Sequence, residues 1–466
     1  MKKIILIPII LVLAISIQLA PDSWAGIANT VHNMSTSAPP TATIKAIAGG
    51  ETEICVFCHI PHNAQPGKPL WNHDMPGSAY TMYKSDYLYR IGYSPTVYDP
   101  TTAQPGLISR QCLSCHDGTV AIGAVYMVRG TIIGDIAMSI PGGGTTMPTT
   151  ATGFIGGPAG ELQNLTRHHP AGIKYDSTIS VAFGSGTRGI ELTASPNTNR
   201  SLNLPIVYTL GSTKYVECVS CHDPHLQDPN IANDDGKKGK FLRVTGSTLA
   251  GKISTTCTHC HTKTGWTGSI HQSGIVAYNY VDATVSQTFG TGAMSGLVCM
   301  NCHKTHKGLG APYLLRQQWS RTCFQGAGAN NNECHATLLG KSTSLLTVFS
   351  RTYKHPIVSD VSSTSKHTNL DVLYPLGGTP ALSKGLDWAT SRHAECVDCH
   401  NPHKAKNTPA RVGTASWYPT TVTSTSNLTS NSGALTGVTG VEPTWPALLW
   451  TVPTTFTTQE SSTYEY

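Results

Sequence analysis

A histidine directly follows a cysteine, with a second cysteine three positions before the first, six times in this chain. The groups are Cys55/Cys58/His59, Cys112/Cys115/His116, Cys218/Cys221/His222, Cys257/Cys260/His261, Cys299/Cys302/His303 and Cys396/Cys399/His400. A seventh is stretched, with ten residues separating Cys323 from the pair Cys334-His335, and together the seven use all 14 cysteines. Thiols at this spacing can form two thioethers to the vinyl groups of one porphyrin, and the adjoining imidazole is then carried under the iron as its proximal ligand. The pattern predicts seven covalently bound haem c groups. A zinc ribbon has no need of His after every second Cys, and a disulfide framework has no reason to repeat a two-residue gap. For the stretched group a Cys323–Cys334 disulfide stays open as the alternative. The intervening Phe-Gln-Gly-Ala-Gly-Ala-Asn-Asn-Asn-Glu has the composition of a loop that can fold back and bring both sulfurs to one macrocycle.

Of 20 histidines, 13 are left to supply a second ligand to each iron. Four groups continue as CxxCHxxH, placing His62, His225, His306 and His403 three residues after the proximal ring. On a helical turn such a pair points the same way. Both rings cannot bind one iron from there, so the second is expected to serve a neighbouring haem; the alternative is a surface histidine. His169 and His355 stand before prolines in extended backbone, and His271, His393 and His32 complete the favoured set. His73, His168, His259 and His367 are expected to be ordinary surface residues. The abundance of histidine points to bis-histidine, low-potential haems. An iron with two protein ligands has no place for substrate, so electron transfer is expected rather than catalysis, and no catalytic residue is assigned.

The elements that must position these groups are sparse. Residues 1–25 read as a secretory signal, with Lys2 and Lys3, an apolar run from Ile4 to Ala20 and a Ser23-Trp24-Ala25 site. An uncleaved anchor is the alternative. No later segment reaches the roughly 20 apolar residues of a membrane span, so no span is expected after signal cleavage, and the location is secreted, extracellular or cell-surface, with the periplasm as alternative. The remaining chain offers about 63 residues per haem, with aromatics at 7%, 45 Gly and 29 Pro, which is thin for a side-chain core. The expected fold is mostly irregular loop with short helices and few strands, a haem-cored multihaem cytochrome c that does not fold without its porphyrins. Without the signal the chain carries 30 basic and 25 acidic residues; the propionates of seven haems turn that slight excess negative, and nothing supports nucleic-acid binding.

An internal repeat is visible. His169-Pro170 precedes Glu217-Cys-Val-Ser-Cys-His-Asp-Pro-His225, His355-Pro356 precedes Glu395-Cys-Val-Asp-Cys-His-Asn-Pro-His403, and His32 to His62 is a looser copy. The organisation expected is a dihaem module at 26–130, a haem-free Gly/Thr/Ser-rich segment with short strands at 131–215, and a trihaem module at 216–310. A dihaem module with the stretched site follows at 311–405, and a Ser/Thr-rich haem-free tail at 406–466. Short strands are expected at Ile190–Thr193 and Leu204–Leu210.

Through Cys-Val-Phe-Cys-His-Ile-Pro-His-Asn-Ala, Pro-Leu-Trp-Asn, Gln-Cys-Leu-Ser-Cys-His-Asp-Gly-Thr-Val-Ala and Arg-His-His-Pro-Ala-Gly, the chain resembles secreted multihaem c-type cytochromes of metal-reducing bacteria. That group includes members that polymerise into extracellular cytochrome nanowires. The resemblance covers most of residues 30–405 and implies an extracellular electron conduit that delivers electrons to redox partner proteins or extracellular acceptors. It also implies a homo-oligomer or filament in which His62 matches the histidine that ligates a haem of the next subunit. A periplasmic shuttle or porin-docked subunit is one alternative. A reductase of nitrite, hydroxylamine or sulfur oxyanions is another, and would need an iron with an open position. Haem quantified against protein is expected at seven per chain; six would make the Cys323–Cys334 group a disulfide.

Overall fold

The computed structural model describes most of residues 26–83, 105–175 and 208–308, with short pieces at 191–193, 314–316, 322–323, 335 and 400–404, and strand residues at 442–443 and 464–465. The signal at 1–25, Cys334, His355, His367, His393, Cys396 and Cys399 lie outside the described residues, as does nearly all of the tail. Among the described residues no helix is long and apolar enough to cross a membrane.

Among the described residues regular structure comes in short pieces, several of them containing the cysteine groups. The helices are α1 (Leu107–His116), α2 (Cys218–Cys221), α3 (Leu249–Thr258) and α4 (Ile270–Ser273), and a 3-10 turn covers Cys55–Phe57. The strands are β1 (Lys45–Ala46), β2 (Met138–Ser139), β3 (Ile173–Lys174), β4 (Tyr208–Leu210), β5 (Thr213–Val216), β6 (Ala277–Asp282), β7 (Gln287–Ala293), β8 (Glu442–Pro443) and β9 (Tyr464–Glu465). They pair antiparallel as β1-β2, β3-β5-β4, β6-β7 and β8-β9. The strand expected to end at Leu210 is present as β4, whereas the run ending at Thr193 contributes the single bridge Leu192 to His261.

Helices α1, α2 and α3 each end in or beside a cysteine group, and local chemistry sets their ends. Pro105-Gly106 opens α1, and Asp117 closes it with an N–H to Leu113 O. Gly118 follows at φ 78°, where a Cβ would stand 3.1 Å from the Phe154 ring; this is the left-handed residue that stops a helix without steric cost. Gly106 answers to a close approach instead, since a Cβ there would overlap the Glu217 carboxylate. Glu217 is buried, accepts from Ser109 Oγ of α1, and its own N–H donates to Ser220 Oγ of α2 at 2.9 Å. Ser109 Oγ accepts in turn from Cys218 N–H at 3.0 Å, so the second and third cysteine groups are locked through one buried carboxylate.

Two modest apolar clusters support this frame. One gathers Val56, Phe57, Ile122, Val125, Val128, Ile136 and Ile140 around Cys58 and Cys115; the other gathers Tyr80, Met82, Tyr83, Leu113, Leu165, Ile173, Tyr175 and Leu314. In the first, fully buried Asn72 replaces a strand ladder. Its Nδ2 donates to Val56 O at 2.6 Å and Met127 O at 2.8 Å, and its Oδ1 accepts from Met127 N at 3.0 Å. Asn72→Ala leaves these buried backbone groups unpaired and is expected to cost about 2–4 kcal/mol, read as a lower denaturant midpoint; an unchanged midpoint would remove Asn72 from the frame.

Candidate haem-binding sites

The cysteine groups share one backbone form. The proximal N–H closes back on the carbonyl of the first cysteine: His59 on Cys55 at 2.8 Å, His222 on Cys218 at 3.0 Å, His261 on Cys257 at 3.0 Å and His303 on Cys299 at 2.9 Å. In α1 the same turn is part of the helix. The stretched group makes the same bond, His335 N to Cys323 O at 3.2 Å, which leaves histidine and first cysteine in the register of a regular group. None of the described cysteines is joined in a disulfide.

A second shared feature has only a faint sequence signal. After the proximal histidine, an extended piece bridges back onto it: His59 to Trp71, His222 to Leu242 and His303 to Leu315. The residue before each bridge, Leu70, Phe241 or Leu314, sits at φ 61°, 51° or 52° and accepts from Ile60, Asp223 or Lys304. The side chain after it, Asn72, Arg243 or Arg316, donates to the carbonyl of Val56, Val219 or Met300, the first residue between the cysteines. The recurring signal is Leu-Trp-Asn, Phe-Leu-Arg and Leu-Leu-Arg. It is faint because its members share size and donor capacity rather than identity.

The second cysteine of each of these groups takes part in the clip, a role beyond the cofactor-binding one that its spacing predicts. Cys302 shows the difference most fully: its N–H donates to Cys299 O at 3.3 Å, and its carbonyl accepts from Arg316 N at 2.8 Å. Cys58 O and Cys221 O accept in the same way from Asn72 N at 3.0 Å and Arg243 N at 2.9 Å. Sequence reasoning assigns Cys302 to the macrocycle alone because a thioether concerns the sulfur. Its backbone is engaged by a residue 14 positions on, which motif spacing does not reveal.

The proximal rings of His59, His116, His222, His261, His303 and His335 each face a second histidine at nearly constant distance. The pairs are His59 with His225 at 6.1 Å, His116 with His32 at 6.0 Å, His222 with His306 at 6.2 Å, His261 with His169 at 6.3 Å, His303 with His403 at 6.1 Å and His335 with His271 at 6.1 Å between ring centres. Two metal–nitrogen bonds of about 2.0 Å in line, with about 1.1 Å from each nitrogen to its ring centre, span about 6.2 Å. Rings in true contact are closer, as where Phe241 stacks on His32 at 4.2 Å. The gap is the width of one metal ion. Among the described residues no three His, Cys, Asp or Glu side chains converge on one point; the rings meet in twos, and such a pair would hold a haem iron between them.

Burial and hydrogen bonding suit the rings to that task. Burial pushes His32 down to about 4 and His403 down to about 3, holding both in the neutral form that binds metal. Their outer nitrogens are anchored: His32 Nδ1 lies 3.0 Å from Pro224 O, His116 Nδ1 2.7 Å from Gly153 O, His222 Nδ1 2.8 Å from Lys240 O and His271 Nδ1 2.8 Å from Pro402 O. Such contacts aim the inner nitrogen and raise its basicity. Burial pushes the Cys58, Cys115 and Cys221 thiols up to about 12. Trp71 Nε1, Arg110 Nε, Gln163 Nε2 and Ser254 Oγ are buried without a protein partner; all are donors, which suits the propionates of a buried haem.

The sites also follow one another in space. Cys58 lies within electrostatic reach of Cys115, and Cys221 of Cys260, while the Cys112 and Cys218 thiols share a hydrogen bond, as do those of Cys257 and Cys299. His403 neighbours His271, and His335 neighbours His400.

Six of the nine favoured histidines, His32, His169, His225, His271, His306 and His403, are thus brought to proximal rings. His62 is exposed and faces none of these six, and His355 and His393 lie outside the described residues. The surface expectation is corrected for two others. His73 is buried, with Nδ1 2.9 Å from Asp74 O and Nε2 3.2 Å from Ile122 O, beside Cys115 Sγ at 3.4 Å. His168 is buried as well. Carbonyls and apolar neighbours recruited from distant sequence bury both, which no local pattern announces.

No family model matches the chain, and no curated protein matches it at a significant level. The pairs divide into two geometries. Ring planes cross at 26°, 31° and 11° for His59, His222 and His303, and at 78°, 85° and 72° for His116, His261 and His335. Were each pair to hold a haem iron, near-parallel planes would split its d orbitals more than near-perpendicular ones, and the oxidised protein would show two low-spin electron paramagnetic resonance classes, each of at least three irons; a single class would contradict these ring orientations.

Proposed function

We propose that this chain is a seven-haem c-type cytochrome that carries electrons from haem to haem outside the cytoplasm, as an extracellular conduit built by end-to-end assembly. The observation that carries the reading is the set of six histidine pairs held one metal ion apart behind CxxCH-type groups. Haem bound there supplies reversible one-electron chemistry at iron. The chain's own residues set the rest: cysteines fix each macrocycle, paired imidazoles fill both axial positions, and groups placed end to end keep the steps between sites short. A reductase needs an open axial position, and the paired rings favour a carrier.

Assembly follows from the repeat. His225, His306 and His403 each belong to one cysteine group and face the proximal ring two groups earlier, those of His59, His222 and His303. The rings of the intervening sites lean on the same segments. His32 bonds to Pro224 O, His169 N–H to Thr305 O and His271 to Pro402 O. Every repeat thus completes the one before it. His62 occupies the same position in the first repeat and is exposed. Its register directs it to the C-terminal repeat of a second copy, giving a head-to-tail filament.

Imaging of secreted wild-type protein is expected to show filaments with an unbroken haem series. His62→Ala is expected to give discrete particles that still carry seven haems. Filaments of unchanged ligation in the variant would remove His62 from the interface, and a haem-free wild-type protein would overturn the reading itself.

A further inference from the structure

We propose that His168 is the positioning residue of the third site: its Nδ1 accepts a hydrogen bond from His306 Nδ1–H, fixing the ring that faces His222 and enriching its electron density. The inference rests on the reading of His222 and His306 as axial ligands. His168 Nδ1 stands 3.2 Å from His306 Nδ1, and His168 Nε2 stands 2.9 Å from Gly156 O. A carbonyl only accepts, so Nε2 carries the proton, and in a neutral imidazole that leaves Nδ1 as a lone pair. Among the described residues the donor facing it is His306 Nδ1–H, and the tautomer so imposed turns the His306 Nε2 lone pair towards the metal position.

The surroundings keep His168 in that state. It is 3% exposed, and the Gly156 carbonyl holds its Nε2 at 2.9 Å. Its backbone is strapped on both sides, with His168 N on Leu165 O at 3.1 Å, Gly308 N on Arg167 O at 3.0 Å and His169 N on Thr305 O at 2.7 Å.

The contact differs in kind from those of the other second ligands. His32, His169 and His271 turn Nδ1 to the backbone carbonyls of Pro224, Pro170 and Pro402. His225 meets the Asp223 carboxylate at 3.4 Å, but that group is shared with Arg243 at 3.3 Å and half of the His225 side chain is in solvent. His168 instead offers His306 a buried imidazole nitrogen, a stronger base than an amide oxygen. A more basic axial ligand favours ferric iron, so His168 sets the third site below the potential a carbonyl contact would give. The residue beside it, His169, faces His261 of the fourth site, so one dipeptide governs two neighbouring irons.

The test is a spectroelectrochemical titration of the holoprotein as wild type, His168→Gln and His168→Phe, with haem counted on every sample. With seven haems retained, one component worth a seventh of the absorbance change is expected to move to higher potential, least in Gln, whose amide oxygen still accepts, and most in Phe. The resonance of one near-parallel low-spin iron is expected to move with it. Identical potentials and resonances in Phe and wild type, at full haem content, overturn the inference and leave the cytochrome reading intact. Should Phe not accumulate, identical wild-type and Gln potentials overturn it equally. Absence of haem from the wild type overturns both.

Discussion

Two neutral imidazoles facing one another across the width of a metal ion form the constraint to which the rest of the structure answers. Nearly parallel rings at such a separation, as for His303 and His403 at 6.1 Å and 11°, gain nothing from each other. The proposed reading places a haem iron in that gap. On the proposed reading that interaction does most of the folding work, because each iron joins a proximal ring from one segment to a second ring from another far along the chain. Two small apolar clusters and helices of at most ten residues would be slight support for so long a chain on their own.

The backbone is irregular but not arbitrary. The closing turn of each cysteine group, the bridge from Trp71, Leu242 or Leu315, and the Asn or Arg that caps the intervening carbonyl recur without forming a sheet or a long helix. Their common effect is to satisfy the polar groups of a tight loop where a flat macrocycle would lie against it. Leu70, Phe241 and Leu314 take positive φ angles there. Strain of about 1 kcal/mol or more at each is tolerated where the surrounding bonds determine the conformation.

Direction is built into the repeat. Each CxxCHxxH group looks backwards, giving its second histidine to an earlier site and a carbonyl to the ring of the site between. A rule that every repeat completes its predecessor has no natural end, which is the physical root of the proposed polymer. It also makes neighbouring sites share segments, as His168 and His169 do, so the local chemistry of one iron is coupled to the position of the next.

The cysteine–histidine groups were legible in the sequence because their spacing is a local property of the chain. The surplus of histidines was legible for the same reason, and six favoured names are those that meet proximal rings. Their pairing was not, because His32 with His116 or His225 with His59 is a contact between distant segments, and spacing along a chain says nothing of distance across it. The buried roles of His73 and His168, the alternation of ring planes and the clip that engages Cys58, Cys221 and Cys302 likewise belong to tertiary structure. They depend on which carbonyls and side chains the fold brings together. The sequence by itself determined what chemistry the chain can hold; only the packing of remote segments decided which two rings face each other, and at what angle.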